Sequence, residues 1–226
     1  GGRGYQFRSG KFHGINYCFR LLFNQNDSLI SCLDWFMNAI EIKDLRKTLD
    51  GEKYILDGIT LNIPKGKITV IIGFSGTGKS VLIKHVLGLI RPTSGSINVL
   101  GTDIGLLNDE QMIRFRSHFG MLFQDAALFD DFTTIENVLF PIQEFRKDLS
   151  KEQKLEIAKL KLSQVGLSEE HYDKLPSELS GGMRKRCGLA RAIALDPDIL
   201  LYDEPTTGLD PVMTETVDNL ILNTHN

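Results

Sequence analysis

Gly73-Phe74-Ser75-Gly76-Thr77-Gly78-Lys79-Ser80 is the stretch on which the reading of this chain turns. Its form is G-x-x-x-x-G-K-[ST], that of a phosphate-binding loop. At average residue frequencies the pattern arises by chance in roughly one chain of this length in a hundred. Its flanks here suit it. The apolar run Ile68-Thr69-Val70-Ile71-Ile72 precedes it and predicts a buried parallel strand, and Val81, Leu82, Ile83, Val86 and Leu87 follow on a helical period. In a strand–turn–helix setting, glycines let the backbone approach a phosphate and the helix N-terminus adds partial positive charge. Gly73, Ser75, Gly76, Thr77 and Gly78 would form the cradle, with Val81 in the helix start behind it. Lys79 would neutralise the β- and γ-phosphates, and the Ser80 hydroxyl would complete a Mg²⁺ shell.

The composition bounds the rest. The 226 residues are 42% hydrophobic and 24% charged, with a formal charge of −3. That balance suits a globular protein and argues against a nucleic-acid partner, which would favour a basic domain. No apolar run reaches the ~18 residues of a membrane-spanning helix, so a membrane role would run through a partner. Cys18, Cys32 and Cys187 have neither paired nor metal-ligand spacing and read as free thiols of a reducing compartment. His13, His85, His118 and His171 show no metal spacing either and read as structural.

Residues 1–36 differ from the rest. Arg3, Arg8, Lys11 and Arg20 face only Asp27 and Asp34 there, which suits a transit-like segment, translated upstream sequence or a non-native leader. Met37 is the expected native start. From it, Ile40–Leu45 and Tyr54–Ile63 alternate like strands of a half-exposed antiparallel sheet, and Ser96–Leu100 reads as a short strand. A helical stretch is expected near Asp109–Arg116, and Phe119–Gln124 is an apolar run ending in a glutamine. A mostly helical subdomain is expected from about residue 133 to 195. Ser150 with Gln153 forms a capping box, Leu155, Ala158, Leu162 and Val165 form a buried stripe, and Gly166 suits the C-cap.

Leu179-Ser180-Gly181-Gly182-Met183 opens another helix. Ser180 is its N-cap, and two glycines in a first turn are costly unless the backbone must approach something closely. Arg184, Lys185, Arg186 and Arg191 read as a solvated basic face. Ile199-Leu200-Leu201-Tyr202 is then a buried strand delivering Asp203 and Glu204 at its C-terminal end, where parallel α/β sheets bind ligands. Asp203 would hold Mg²⁺, and Glu204 would polarise an attacking water as general base.

In order, Gly73–Ser80, Gln124, Leu179–Met183, Asp203-Glu204 and Gly208-Leu209-Asp210-Pro211 resemble the ATP-binding-cassette ATPases. The resemblance covers nearly all of residues 37–226. It implies an α/β P-loop core with an antiparallel β subdomain and a helical signature subdomain, and it implies ATP and Mg²⁺ as ligands. It also implies that Gln124 touches Mg²⁺ and senses a permease, and that Ser180, Gly181 and Gly182 meet the γ-phosphate bound to a second copy. Asp210 is the corresponding D-loop acid. The implied partners are a second nucleotide-binding subunit and integral-membrane permease subunits, with the chain peripheral on the cytoplasmic face of the inner membrane. Leu122–Asp130, Glu136-Asn137-Val138, Phe140-Pro141 and Met183 in the signature look like the Mla/Mce-type lipid-transport ATPases, of bacteria and of plant chloroplasts. That implies phospholipid traffic and an Mce-type lipid-binding subunit. A polar-solute importer ATPase and a soluble ABC protein of DNA repair or translation are the alternatives.

Two departures stand out. The family's adenine-stacking aromatic falls near Leu49 or Asp50, neither aromatic, with Tyr54 the neighbouring candidate. The family's switch histidine closes a strand after the D-loop helix, whereas here His225 follows Met213, Val217, Leu220 and Ile221 directly. The expectation is a cassette incomplete at its C-terminus, with hydrolysis impaired.

Overall fold

Ile40, Ile42 and Leu45 are buried in Asn38–Thr48, as are Leu56 and Ile63 in Tyr54–Pro64, as strands with one face on a core require. These two strands, β1 and β2, pair antiparallel, with Ile40 opposite Ile63 and Ile42 opposite Leu61. β3 (Ser94–Val99) takes the other edge of β1, with Ile42 opposite Ile97, and β4 (Thr102–Asp103) completes the order β2-β1-β3-β4. The computed structural model describes residues 38–48, 51, 53–74, 76–208 and 211–223. The expectations for residues 1–36, Met37, Ser75, Asp210 and His225 lie outside them.

Helix α1 (Lys79–Val86) buries Leu82, Ile83 and Val86 in one core with Ile40, Ile42 and Leu56. α2 (Asp109–Phe115) opens on a capping box, Asn108 with Gln111. β5 (Phe119–Leu122) and β6 (Ile199–Tyr202) then form a parallel pair, Phe119 opposite Ile199 and Leu122 opposite Tyr202. Every residue of β6 is buried. Ile199 and Leu201 belong to the first core, whereas Leu200 and Tyr202 belong to a second. Alternation along a strand therefore makes β6 the wall between two cores.

The second core is helical. α3 (Thr134–Phe145), α4 (Lys151–Gln164), α5 (Gly181–Ala192) and α6 (Pro211–Asn223) contribute Val138, Leu162, Leu189 and Ile221 to it. Capping boxes at Thr133/Glu136 and Ser150/Gln153 start α3 and α4, and Gly166 at φ 73° follows the end of α4. Helix α5 lies on β5 at backbone distance. A Cβ on Gly120 would stand 2.1 Å from the Ala192 carbonyl oxygen, and one on Gly188 would stand 2.9 Å from Ala126 Cβ. Only glycine fits either place. Among the described residues no helix is long and apolar enough to cross a membrane.

Two expectations are corrected. Residues 67–74 form no strand. Ile68, Val70 and Ile72 are 37%, 47% and 59% exposed, while Ile71 packs on the first core. The segment keeps a strand's alternation, but no described strand pairs with it, so one of its faces stays open. Leu155 is 39% exposed. The buried stripe of α4 runs through Ala158 and Leu162 to Val165 at its C-cap and takes in Lys161, which pairs with Asp196, in place of Leu155.

Candidate nucleotide site

The N-terminus of α1 is open to a ligand. Its cap is Gly78 at φ 93°, and no side chain caps the first turn, so the leading amide N–H groups lack a side-chain acceptor. A Cβ on Gly78 would lie 2.8 Å from Leu56 Cδ2, so the turn is pressed against β2. Thr77 Oγ1 donates to the Phe74 carbonyl at 2.8 Å, and Lys79 Nζ donates to the Gly73 and Phe74 carbonyls at 2.9 Å each. The ammonium is thereby folded over the loop it follows in sequence.

The second half of the site comes from the parallel pair. Asp203 N–H donates to the Leu122 carbonyl at 3.0 Å, which extends the ladder past β6. Ser80 Oγ donates to Asp203 Oδ1 at 3.3 Å. Two side chains 123 positions apart thus meet at one point. Burial pushes the Asp203 carboxyl above the ordinary aspartate range; the Ser80 hydrogen bond pulls it back, Glu204 raises it further, and Lys79 and Lys84 lower it. A carboxylate short of solvation beside a hydroxyl favours a cation. The available donors, Ser80, Asp203 and the Gln124 amide, are hard oxygens of the kind Mg²⁺ takes. Gln124 is exposed two residues beyond β5, at the same end of the parallel pair as Asp203.

Glu204 has φ 49°, a left-handed backbone at a non-glycine residue. Such a conformation costs about 1–3 kcal/mol and clusters at functional sites. Thr207 locks it, donating from its N–H to the Glu204 carbonyl and from Oγ1 to Glu204 Oε2, both at 3.2 Å. The turn takes Glu204 out of the alternation of β6 and so off the line of Asp203.

Helix α5 opens with Ser180, whose Oγ accepts from Met183 N–H at 3.3 Å. Gly181 is exposed and Gly182 is buried. The basic face expected on this helix is corrected. Lys185 is buried and donates to the Pro205 and Thr207 carbonyls at 2.7 and 2.9 Å. Arg191 donates to the Ala126 and Ala127 carbonyls at 2.6 and 2.8 Å and lies over the Phe129 ring. These cations tie α5 to the turn after Glu204 and to the turn after Gln124. Burial lowers both from their ordinary values, and Asp125 and Glu204 partly restore Lys185. The signal in the sequence was Gly188, Ala190 and Ala192, small residues that mark a helix packed on most of its sides. Cys187, also buried, has its thiol pushed up to about 12, so it stays protonated. Tyr54 begins β2, 45% exposed, with the Arg46 guanidinium 5.8 Å from its ring centre.

The family profile described as "ABC transporter" matches residues 56–207. The chain belongs to the ABC transporter family. Its cassette is 47% identical over 184 residues to the probable ribonucleotide transport ATP-binding protein mkl of Mycobacterium leprae, covering 81% of this chain and 52% of that protein. It is 45% identical over 184 residues to the intermembrane phospholipid transport system ATP-binding protein MlaF of Haemophilus influenzae, covering 81% of this chain and 69% of that protein. Among solved structures, the dimeric ATP-binding cassette MJ0796 with ADP and Pi superposes with a TM-score of 0.75 at 32% identity, covering 83% of each chain. The ABC cassette described here spans about half the length of the mycobacterial relative.

Proposed function

We propose that this chain is the ATP-binding and hydrolysing part of an ABC transporter, working with a membrane permease to move phospholipid between membranes. The observation that carries the ATPase reading is the meeting of Ser80 with Asp203 beside the backbone-strained Glu204. Lys79 and the amides of Gly73, Ser75, Gly76, Thr77, Gly78, Ser80 and Val81 would bind the phosphates. Ser80, Asp203 and Gln124 would hold Mg²⁺, which when bound neutralises charge on the β- and γ-phosphates. Glu204 would take a proton from water as its oxygen attacks the γ-phosphorus, while the bond to the ADP oxygen breaks. Ser180, Gly181, Gly182 and Asp210 would face the phosphates of a second copy, making the working unit a dimer. Glu204→Gln is expected to bind ATP and accumulate a closed dimer on size exclusion; unchanged turnover in that variant would remove Glu204 from the base role.

The lipid cargo is supported by likeness to MlaF and by Met183 in the signature. The permease would dock in the groove between Gln124 and the helical layer, where Phe129, Phe132 and Phe140 form an aromatic cluster. The chain would then lie peripherally on the cytoplasmic face of the inner membrane. The name of the mycobacterial relative, a ribonucleotide transport protein, favours polar cargo as the second reading. Tagging the native protein, extracting it in mild detergent and identifying its companions separates them. An Mce-type subunit with copurifying phospholipid supports lipid; a soluble solute-binding protein supports polar cargo and ends the lipid reading.

A further inference from the structure

We propose that Lys185, on α5, is a positioning residue for hydrolysis: it holds the backbone turn that presents Glu204 to the attacking water. This role rests on the reading of Glu204 as the base. Lys185 is buried, and its ammonium donates to two backbone carbonyls, Pro205 at 2.7 Å and Thr207 at 2.9 Å. A cation spent on main-chain oxygens specifies a backbone conformation, whatever side chains surround it.

Residues 204–207 form one turn held from two sides. From within, Thr207 donates to the Glu204 carbonyl from its N–H and to Glu204 Oε2 from its hydroxyl. From outside, Lys185 takes the carbonyls of Pro205 and Thr207. Thr207 is thereby fixed at both ends of its backbone, its N–H on Glu204 and its carbonyl on Lys185. Glu204 stands at φ 49°, a left-handed conformation that persists only where the surroundings over-determine it. Thr207 is exposed, so water competes for the two bonds it makes. The bond from Lys185 to Pro205 is buried, so water does not reach it, and a buried carbonyl deprived of its donor is costly. Of the two holds on the turn, the one from α5 is the durable one.

The turn after Gln124 repeats the arrangement. Ala126 and Ala127 stand at φ 61° and 47°, and Arg191 of the same helix donates to both of their carbonyls, at 2.6 and 2.8 Å. Both turns that carry candidate site residues therefore hold non-glycine residues in left-handed backbone, and a cation of α5 pins each. Packing alone does not ask for a lysine at position 185, since a methionine would fill the same space without taking a charge out of water. Its charge faces Asp125 and Glu204, one acid beyond each pinned strand end. The desolvated ammonium is explained by what it grips.

The test compares Lys185→Met, which keeps an apolar stem and loses the donors, with Lys185→Gln, which keeps two N–H groups and loses the charge. Each is made in the full chain, alone and together with Glu204→Gln. Without nucleotide, the Thr207 amide of Lys185→Met is expected to exchange at least about tenfold faster by NMR, for the loss of the buried grip. The Met183 amide, capped by Ser180 on the same helix, is expected to keep its rate. With ATP, nucleotide affinity should be unchanged while turnover falls by about 10²-fold, as for a misplaced catalytic group. Lys185→Gln should recover part of both losses, and it carries the same readouts if the methionine variant does not fold. Added to Glu204→Gln, Lys185→Met should lower turnover no further. A Thr207 amide that stays protected, a Met183 amide that loosens with it, or a turnover loss undiminished beside Glu204→Gln overturns the proposal and leaves the base reading standing. Unchanged turnover in Glu204→Gln alone removes the base, and the positioning role with it.

Discussion

Ile199–Tyr202 and Ile68–Ile72 are the same kind of sequence in different circumstances. Each is a short apolar run that leads into residues proposed for the site, Asp203-Glu204 in one case and Gly73–Ser80 in the other. β6 is buried on both faces because β5 pairs with it and a core lies on either side. Residues 68–72 have a core on one side alone and no described strand beside them, and Ile72 stands 59% exposed. Burial of a parallel strand is thus a property of its neighbours, and its own residues only permit it. The carboxylates hang from a wall, while the phosphate loop hangs from a strip held along one edge.

The largest way to sharpen this contrast is chemical. Glu204→Gln is expected to lower phosphate release by about 10²–10⁴-fold with nucleotide binding retained, whereas Lys79→Ala should weaken nucleotide binding itself. Fluorescent-nucleotide titration beside a phosphate-release assay distinguishes the two. Next in size is stability. Leu201→Ala should cost about 2–5 kcal/mol in urea unfolding, against no more than about 0.5 kcal/mol for Val70→Ala. Equal costs would mean that residues 68–72 are buried in solution after all. Hydrogen exchange should follow the same order, with the amides of 199–202 protected and those of 68–72 exchanging early.

The smallest effect concerns pH. Because burial raises the Asp203 carboxyl, the folded chain holds that proton more tightly than the unfolded chain does. The contribution therefore favours folding below the ordinary aspartate value and is lost as pH rises through the raised one. Without nucleotide, Asp203→Asn should be the more stable protein at neutral pH, with the advantage vanishing in acid. An advantage that grows in acid would reverse the sign of the shift.

The motifs were legible because they are local. The Ser150 and Ser180 caps are local side-chain signals that the structure bears out, and the phosphate-loop and Asp203-Glu204 patterns are likewise confined to a few consecutive residues, the first written mainly in glycines. Lys185 and Arg191 were misread because their partners are backbone carbonyls at positions 205, 207, 126 and 127. A carbonyl leaves no mark on a sequence, so a buried cation reads as a solvated one. The open face of residues 68–72 escaped notice because an apolar alternation looks the same whether or not a neighbour arrives.

Lys185 carries a further consequence. Its ammonium is enclosed by the two carbonyls it grips, so an acylating reagent that modifies surface amines reaches it only after the turn beyond Glu204 lets go. A neutral amine still has two N–H groups, enough for both carbonyls, so alkaline labelling conditions need not break the grip they are meant to report. The rate at which this one lysine is tagged, set against Lys159 or Lys174, becomes an internal clock for opening of the carboxylate turn. It can be read by mass spectrometry on the unmutated protein.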